Sequence, residues 1–152
     1  MSSNRRWVLL ADPEDYGWDD LVRENTAVWD GIKNARAQEN LKKARLGDPV
    51  LIYHTAPDKA VIGTARVSKE AYPDPKREGA VVIEIEPLRV LGRRLALAEL
   101  KADHVLSQMS FVKMPRVAVQ PVTTEQWDRI MELSGTDPGE SIGADPAEVG
   151  GP

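Results

Sequence analysis

Residues 49–67 read PVLIYHTAPDKAVIGTARV, and the fold is decided by how this stretch is read. Val50, Ile52 and His54 fall on one face of an extended chain, with Leu51 and Tyr53 on the other. The turn APDK follows, and Val61–Val67 forms a second extended run in which Gly63 marks a bend or a close approach of backbone. Outward from this pair, Trp7–Leu10 is a short apolar run. Val81, Ile83 and Ile85 alternate with Val82, Glu84 and Glu86. In RVAVQPV, Arg116–Val122, Val117 and Val119 share a face, and Pro121, which lacks an N–H, confines the segment to an edge or ends it. Five or six short strands in one small chain predict a strongly curled sheet or β-barrel.

Helical signals punctuate the strands, making the class α+β. Asp19–Glu24 allows one or two turns. Asn34 can cap a helix to about Leu46, with Ala37, Leu41 and Ala44 on one stripe and Gly47 as its stop. Leu97–Ala102 is a further short helix. Thr123 and Gln126 form a capping-box pair ahead of a last helix carrying Trp127, Ile130 and Met131. The loop AYPDPKREG, with two prolines around an aspartate, reads as a rigid extended connector. Trp7, Trp18 and Trp127 read as core.

The chain has 152 residues, 41% hydrophobic and 29% charged, the balance of a globular domain. Its longest N-terminal apolar run, Trp7–Ala11, is far short of the roughly 20 residues of a membrane span or of a signal peptide's pattern. With no cysteine, disulfides and thiolate metal sites are excluded, and two histidines, His54 and His104, leave little for a metal. A cytoplasmic monomer without metal or cofactor is the expectation. Residues 136–152, rich in Gly, Pro and acid, are expected to be a disordered tail beyond a domain at 1–135.

Net charge is −4, but Asp137, Glu140, Asp145 and Glu148 lie in that tail, and without them 20 acidic residues face 20 basic ones. Gly31–Leu46 holds Lys33, Arg36, Lys42, Lys43 and Arg45 against Glu39 alone. This is either a solvated helix face or a local phosphate-attracting patch.

The segment WDGIKN, residues 29–34, leads into that basic helix. A helix N-terminus presents unsatisfied N–H groups, Gly31 permits close backbone approach, and Trp29 offers a ring on which a base can stack. Asn34 has the donor and acceptor edge that amides use on adenine. The alternative stands beside it: Trp29 plugs the core and Asn34 only caps its helix. Tyr53 and His54 end a strand where a cleft could open, although alternation puts them on opposite faces, and a structural role for His54 is the simpler reading. Arg116 either meets a phosphate or base or makes a surface ion pair. No GxSxG, paired-His, GxGxxG or Walker pattern appears, so no catalytic residues are assigned.

Taken in order, WDGIKN, LGDPVLIYHT, VIGTARV, EAYPDP, LAELKAD and PRVAVQPVTTEQW resemble the EVE domain, a member of the PUA-like superfamily related to ASCH and YTH domains. The resemblance spans about Arg6 to Gly135. It implies a small curled β-barrel flanked by helices, with a pocket for an extruded, modified base in nucleic acid, DNA more than RNA. It places Trp29, Gly31, Ile32, Asn34, Tyr53, His54, Val117 and Val119 at the base pocket. Lys33, Arg36, Lys42, Lys43 and Arg116 would serve the phosphate backbone.

The sequence departs from the family at several points. The family's YWLMKSEP is RWVLLADP here, replacing its lysine and serine with Leu10 and Ala11. Ala35 stands where an aromatic is common, and Pro115 and Ala118 replace two serines of SRLSVQPV. The rival class is a small ASCH-like amidohydrolase, for which Lys33 and Thr55 supply two groups but no motif supplies the glutamate. A metabolite-binding adaptor is a third.

Overall fold

The computed structural model describes residues 5–136; residues 1–4 and 137–152, which include nearly all of the expected tail, lie outside the described residues. Apolar residues alternate along the strands on both faces, so the sheet buries both. Six strands are described: β1 (Arg6–Ala11), β2 (Ala27–Trp29), β3 (Pro49–His54), β4 (Ala60–Pro73), β5 (Val81–Ala96) and β6 (Val119–Val122). Their order is β2-β5-β4-β3-β1-β6. β1 and β3 are parallel; the remaining neighbours are antiparallel. The helices are α1 (Trp18–Glu24), α2 (Ala35–Lys43), α3 (Leu97–Ala102), α4 (Ser110–Lys113) and α5 (Thr124–Ser134).

Period-two alternation becomes two cores. Trp7, Leu9, Val50, Ile52, Ile83 and Ile85 pack under Trp18 and Leu21 of α1 and Ala37 and Leu41 of α2. On the other face Val8, Leu51, Tyr53 and Leu95 pack with Leu100, Phe111, Trp127 and Ile130. Gly63 is the expected close approach: a Cβ there would lie 2.7 Å from the Trp18 ring and 2.9 Å from the Arg89 carbonyl. The β4–β5 register slips beside it, between Val61 and Gly63, which bends the hairpin.

The expected barrel does not close; the sheet is open. Its edge strands, β2 and β6, have only three and four residues, and α2 lies against β6 instead of a further strand. The Asn40 amide donates to the Val119 carbonyl at 2.7 Å, and Gln38 clamps the Val81 backbone, donating to its carbonyl and accepting from its N–H. A helix whose side chains satisfy backbone groups at both ends of the sheet takes the place of closure.

Several boundaries also move. The last strand starts at Val119, and Arg116 sits in the preceding turn. α2 ends at Lys43, ahead of Gly47, which takes a left-handed φ of 87°. Of AYPDPKREG, Ala71–Pro73 belong to β4, extending its pairing with β5 through Pro73 and Val81. β2 was not anticipated; its three residues are too few to show a period. α3 and the Thr123–Gln126 capping box match the expectation. Thr136 is buried, its hydroxyl accepting from the Gly92 N–H at 2.9 Å, so the packed chain includes it.

Candidate nucleic-acid interface

Trp29 closes β2 with its indole in the first core, its edge meeting the Tyr16 ring at 6.1 Å and an interplanar angle of 81°. Together they wall a cleft of about 440 Å³, whose lining also includes Leu10, Ala11 and Ile32. Trp29 and Ile32 line the same cleft, and Leu10 and Ala11, noted as departures, form apolar lining. Four carboxylates, Asp12, Asp15, Glu24 and Asp30, also line the cleft. The Tyr16 hydroxyl donates to Glu24 Oε1 at 2.8 Å, and its burial together with that carboxylate keeps the phenol protonated far above its ordinary range. Asp30 reaches Lys76 at 3.7 Å, and Asp12 Oδ1 accepts from the Glu14 N–H.

Gly31 takes φ 75°, a left-handed conformation in which a side chain would be strained, and a Cβ there would meet open space. The turn it makes brings Ile32 into position: the Ile32 carbonyl accepts from Gln38 Nε2 at 2.9 Å and Arg77 at 2.7 Å. Asn34 caps α2, its amide oxygen accepting the Ala37 N–H at 2.9 Å. That oxygen already accepts one hydrogen bond within the protein, leaving one lone pair and the amide nitrogen.

The other pocket candidates are placed elsewhere. Tyr53 lies in the second core, its ring centroid 4.8 Å from that of Phe111, and burial raises its pKa. His54 faces the first side and is only 7% exposed. Its Nε2 accepts the Trp18 N–H at 2.9 Å, so the other nitrogen carries the proton and donates to Asp58 at 2.9 Å. The imidazole thus serves as an acceptor for the start of α1. Val117 and Val119 are also buried in the first core. Alternation sends Tyr53 away from the cleft, and neither the two valines nor His54 lines it, whereas Trp29, itself largely buried, does.

Among the basic candidates, Lys33 and Arg116 are exposed, and Lys42 pairs with Glu39 at 3.1 Å. Arg36 and Lys43 border a second cleft between α2, α4 and β6. Among the described residues no hydrogen bond or ion pair joins Lys33 to Thr55, whose hydroxyl leans on the Ala11 carbonyl at 3.4 Å. No group of three or more His, Cys, Asp or Glu among the described residues is arranged to hold a metal. No described helix is long and apolar enough to cross a membrane. Tyr16, Asp12 and Asp15 were missed from the sequence because they come from the β1–α1 connection, which no periodicity marks, while Glu24 ends α1 and Asp30, inside WDGIKN, follows β2.

The chain resembles known proteins over nearly the whole of its packed length. Residues 5–133 match the family model of the EVE domain. Thymocyte nuclear protein 1 of Mus musculus is 27% identical over 171 residues, covering 87% of this chain and 74% of that protein. The NMR structure of Rpa0253 from Rhodopseudomonas palustris is 31% identical with a TM-score of 0.82, covering 86% of this chain and 93% of that one. The crystal structure of human THYN1 protein in complex with 5-methylcytosine-containing DNA has a TM-score of 0.80 at 24% identity, covering 88% of this chain and 99% of that one. With the family model matching nearly the whole of the packed domain, the chain belongs to the EVE domain family.

Proposed function

We propose that this protein binds DNA and takes an extruded, modified base, a methylated cytosine before others, into the Trp29 cleft. The observation that carries the reading is the cleft's lining: an aromatic wall, an apolar patch and four carboxylates. A flipped base needs a flat face, and stacking on an aromatic ring is worth about 1–3 kcal/mol. The exocyclic amine of cytosine donates to carboxylates in established recognition patterns. Leu10 and Ala11, where the resembled motif has lysine and serine, suit a methyl group better than a polar edge. The likeness to a protein crystallised with 5-methylcytosine-containing DNA supports the same reading. The acids disfavour phosphate in the cleft itself, so the backbone would run along the cations outside it, Lys33, Arg36, Lys43 and Arg116.

Fluorescence polarisation on short duplexes carrying cytosine, 5-methylcytosine, 5-hydroxymethylcytosine or N6-methyladenine tests this, with matched RNA. A methyl-dependent gain is expected, lost in a folded Trp29→Leu variant and in Asp30→Lys. Equal affinity for all oligonucleotides at low salt removes the modified-base reading; no binding to any removes DNA as the partner.

A further inference from the structure

Four carboxylates line the Trp29 cleft, Asp12, Asp15, Glu24 and Asp30, and among the described residues no Lys, Arg or His shares that lining. Extruding a nucleotide carries the phosphates on either side of its sugar to the mouth of the pocket that takes the base. A phosphate brought beside like charges is repelled, so a cleft of this composition needs a cation at its rim. Arg36 and Lys43 line the other cleft instead.

The loop between β4 and β5 supplies one. Lys76 Nζ lies 3.7 Å from Asp30 Oδ2, at the lining itself. Its place is set by the turn it sits in. Pro73 and Pro75 restrict the chain on either side of Asp74, whose Oδ1 accepts the Lys76 N–H at 2.8 Å and whose carbonyl accepts the Arg77 N–H at 3.3 Å. The Asp74 N–H donates to the Ala80 carbonyl at 2.9 Å and closes the loop at its base. Arg77 ties this turn to the cleft, donating to the Ile32 carbonyl at 2.7 Å. Gln38 of α2 binds both that carbonyl and the Val81 backbone, so the loop is fastened to the segment that carries Trp29, Asp30 and Ile32. The Lys76 side chain itself is 81% exposed. An ion pair so open to water is worth little, and its ammonium can exchange a carboxylate for a phosphate at small cost.

We propose that Lys76 is a phosphate contact of the extruded nucleotide: its ammonium leaves Asp30 for a phosphate flanking the base, and the Asp30 carboxylate is left to the exocyclic amine inside the cleft. The inference rests on the reading of the Trp29 cleft as a base site. Base and phosphate are coupled in it, because each takes one member of the Asp30–Lys76 pair. It gives the β4–β5 loop a part in recognition that neither motif order nor the basic run of α2 pointed to.

The test is a double-mutant cycle on the whole chain by fluorescence polarisation, between Lys76→Ala and a methylphosphonate linkage, which removes one phosphate charge. The methylphosphonate is placed in turn on either side of a 5-methylcytosine in a short duplex. Lys76→Ala should weaken binding of that duplex about five- to tenfold at low salt and reduce its salt slope by about 1. One of the two methylphosphonates should weaken the parent to the same degree and add nothing further to Lys76→Ala. Lys101→Ala, which removes an exposed charge from α3, should leave the affinity unchanged. The contact is overturned if the two losses add at both linkages. It is equally overturned if Lys76→Ala behaves as Lys101→Ala does while 5-methylcytosine is still preferred, and the base reading then stands without it. Equal coupling beside unmodified cytosine retains Lys76 as a phosphate contact and removes the preference for a modified base. No binding to any oligonucleotide overturns both.

Discussion

The two clefts beside the start of α2 have opposite chemistry. One is aromatic and acidic, lined by Trp29, Tyr16 and four carboxylates; the other has Arg36 and Lys43 beside Asn40, Met114 and Gln120 in its lining. Tyr16 and Trp29 meet through ring edges over a helix start that His54 holds in place. The basic cleft is instead assembled from side chains spent on satisfying the sheet edge. The lesson is that the basic residues of one short helix do not serve one surface. Lys42 is neutralised by its own helix, Arg36 and Lys43 face the second cleft, and Lys33 stands on the loop between.

The comparison breaks hardest at Gly63. Gly63→Ala forces a Cβ to 2.7 Å from the Trp18 ring, beneath the helix that supports the aromatic cleft. Overpacking of this kind costs about 1–3 kcal/mol, and here the upper end is expected in urea unfolding. Loss of oligonucleotide binding should accompany it. His54→Leu leaves the Trp18 N–H buried without its acceptor and should cost about 2 kcal/mol. If that variant unfolds no more easily than the parent, the imidazole is not what holds α1.

A control away from both clefts sharpens the contrast. Asp103 accepts from Arg129 at 2.7 and 2.9 Å, and that guanidinium holds its carboxyl down to about 2. A depressed pKa gives stability that is complete above the unfolded value of about 3.9 and is lost as pH falls toward 2. Asp103→Asn should therefore lower stability at pH 7 by about 1–2 kcal/mol and flatten the loss between pH 4 and 2 in acid unfolding curves. Oligonucleotide affinity at pH 7 should not change. The smallest effect separates the cations: Arg36→Ala should reduce the salt slope of DNA binding by about 1 and Lys42→Ala by less, because Glu39 already screens that lysine.

Much of this was visible in the chain before folding. Alternation in Val50–His54 placed each side chain on its correct face, Gly63 announced a close approach, and Thr123 with Gln126 announced the last helix. The segment WDGIKN pointed to Trp29 and Ile32 and to the cap at Asn34. The same alternation put Tyr53 and His54 on opposite faces, so that a shared pocket needed a bend, and they stay on opposite faces. Motif order put Val117 and Val119 at the pocket, but their own apolar period put them in the core, and burial prevailed. The barrel was an inference from strand count, and strand count says nothing about whether edge strands of three and four residues can meet.

Most of the elements, the face each residue of Val50–His54 takes, and the family were legible in the chain, because periodicity, caps and motif order are local properties; β2 and α4 were too short to show a period. Tertiary packing alone settled which carboxylates line the cleft with Trp29, and that α2 lies against β6 where a barrel would have closed. Those outcomes depend on residues tens of positions apart, and on which atom of an amide is already spoken for by a backbone carbonyl. No local pattern carries that information, because it arises when hydrogen-bond partners are allotted across the whole fold.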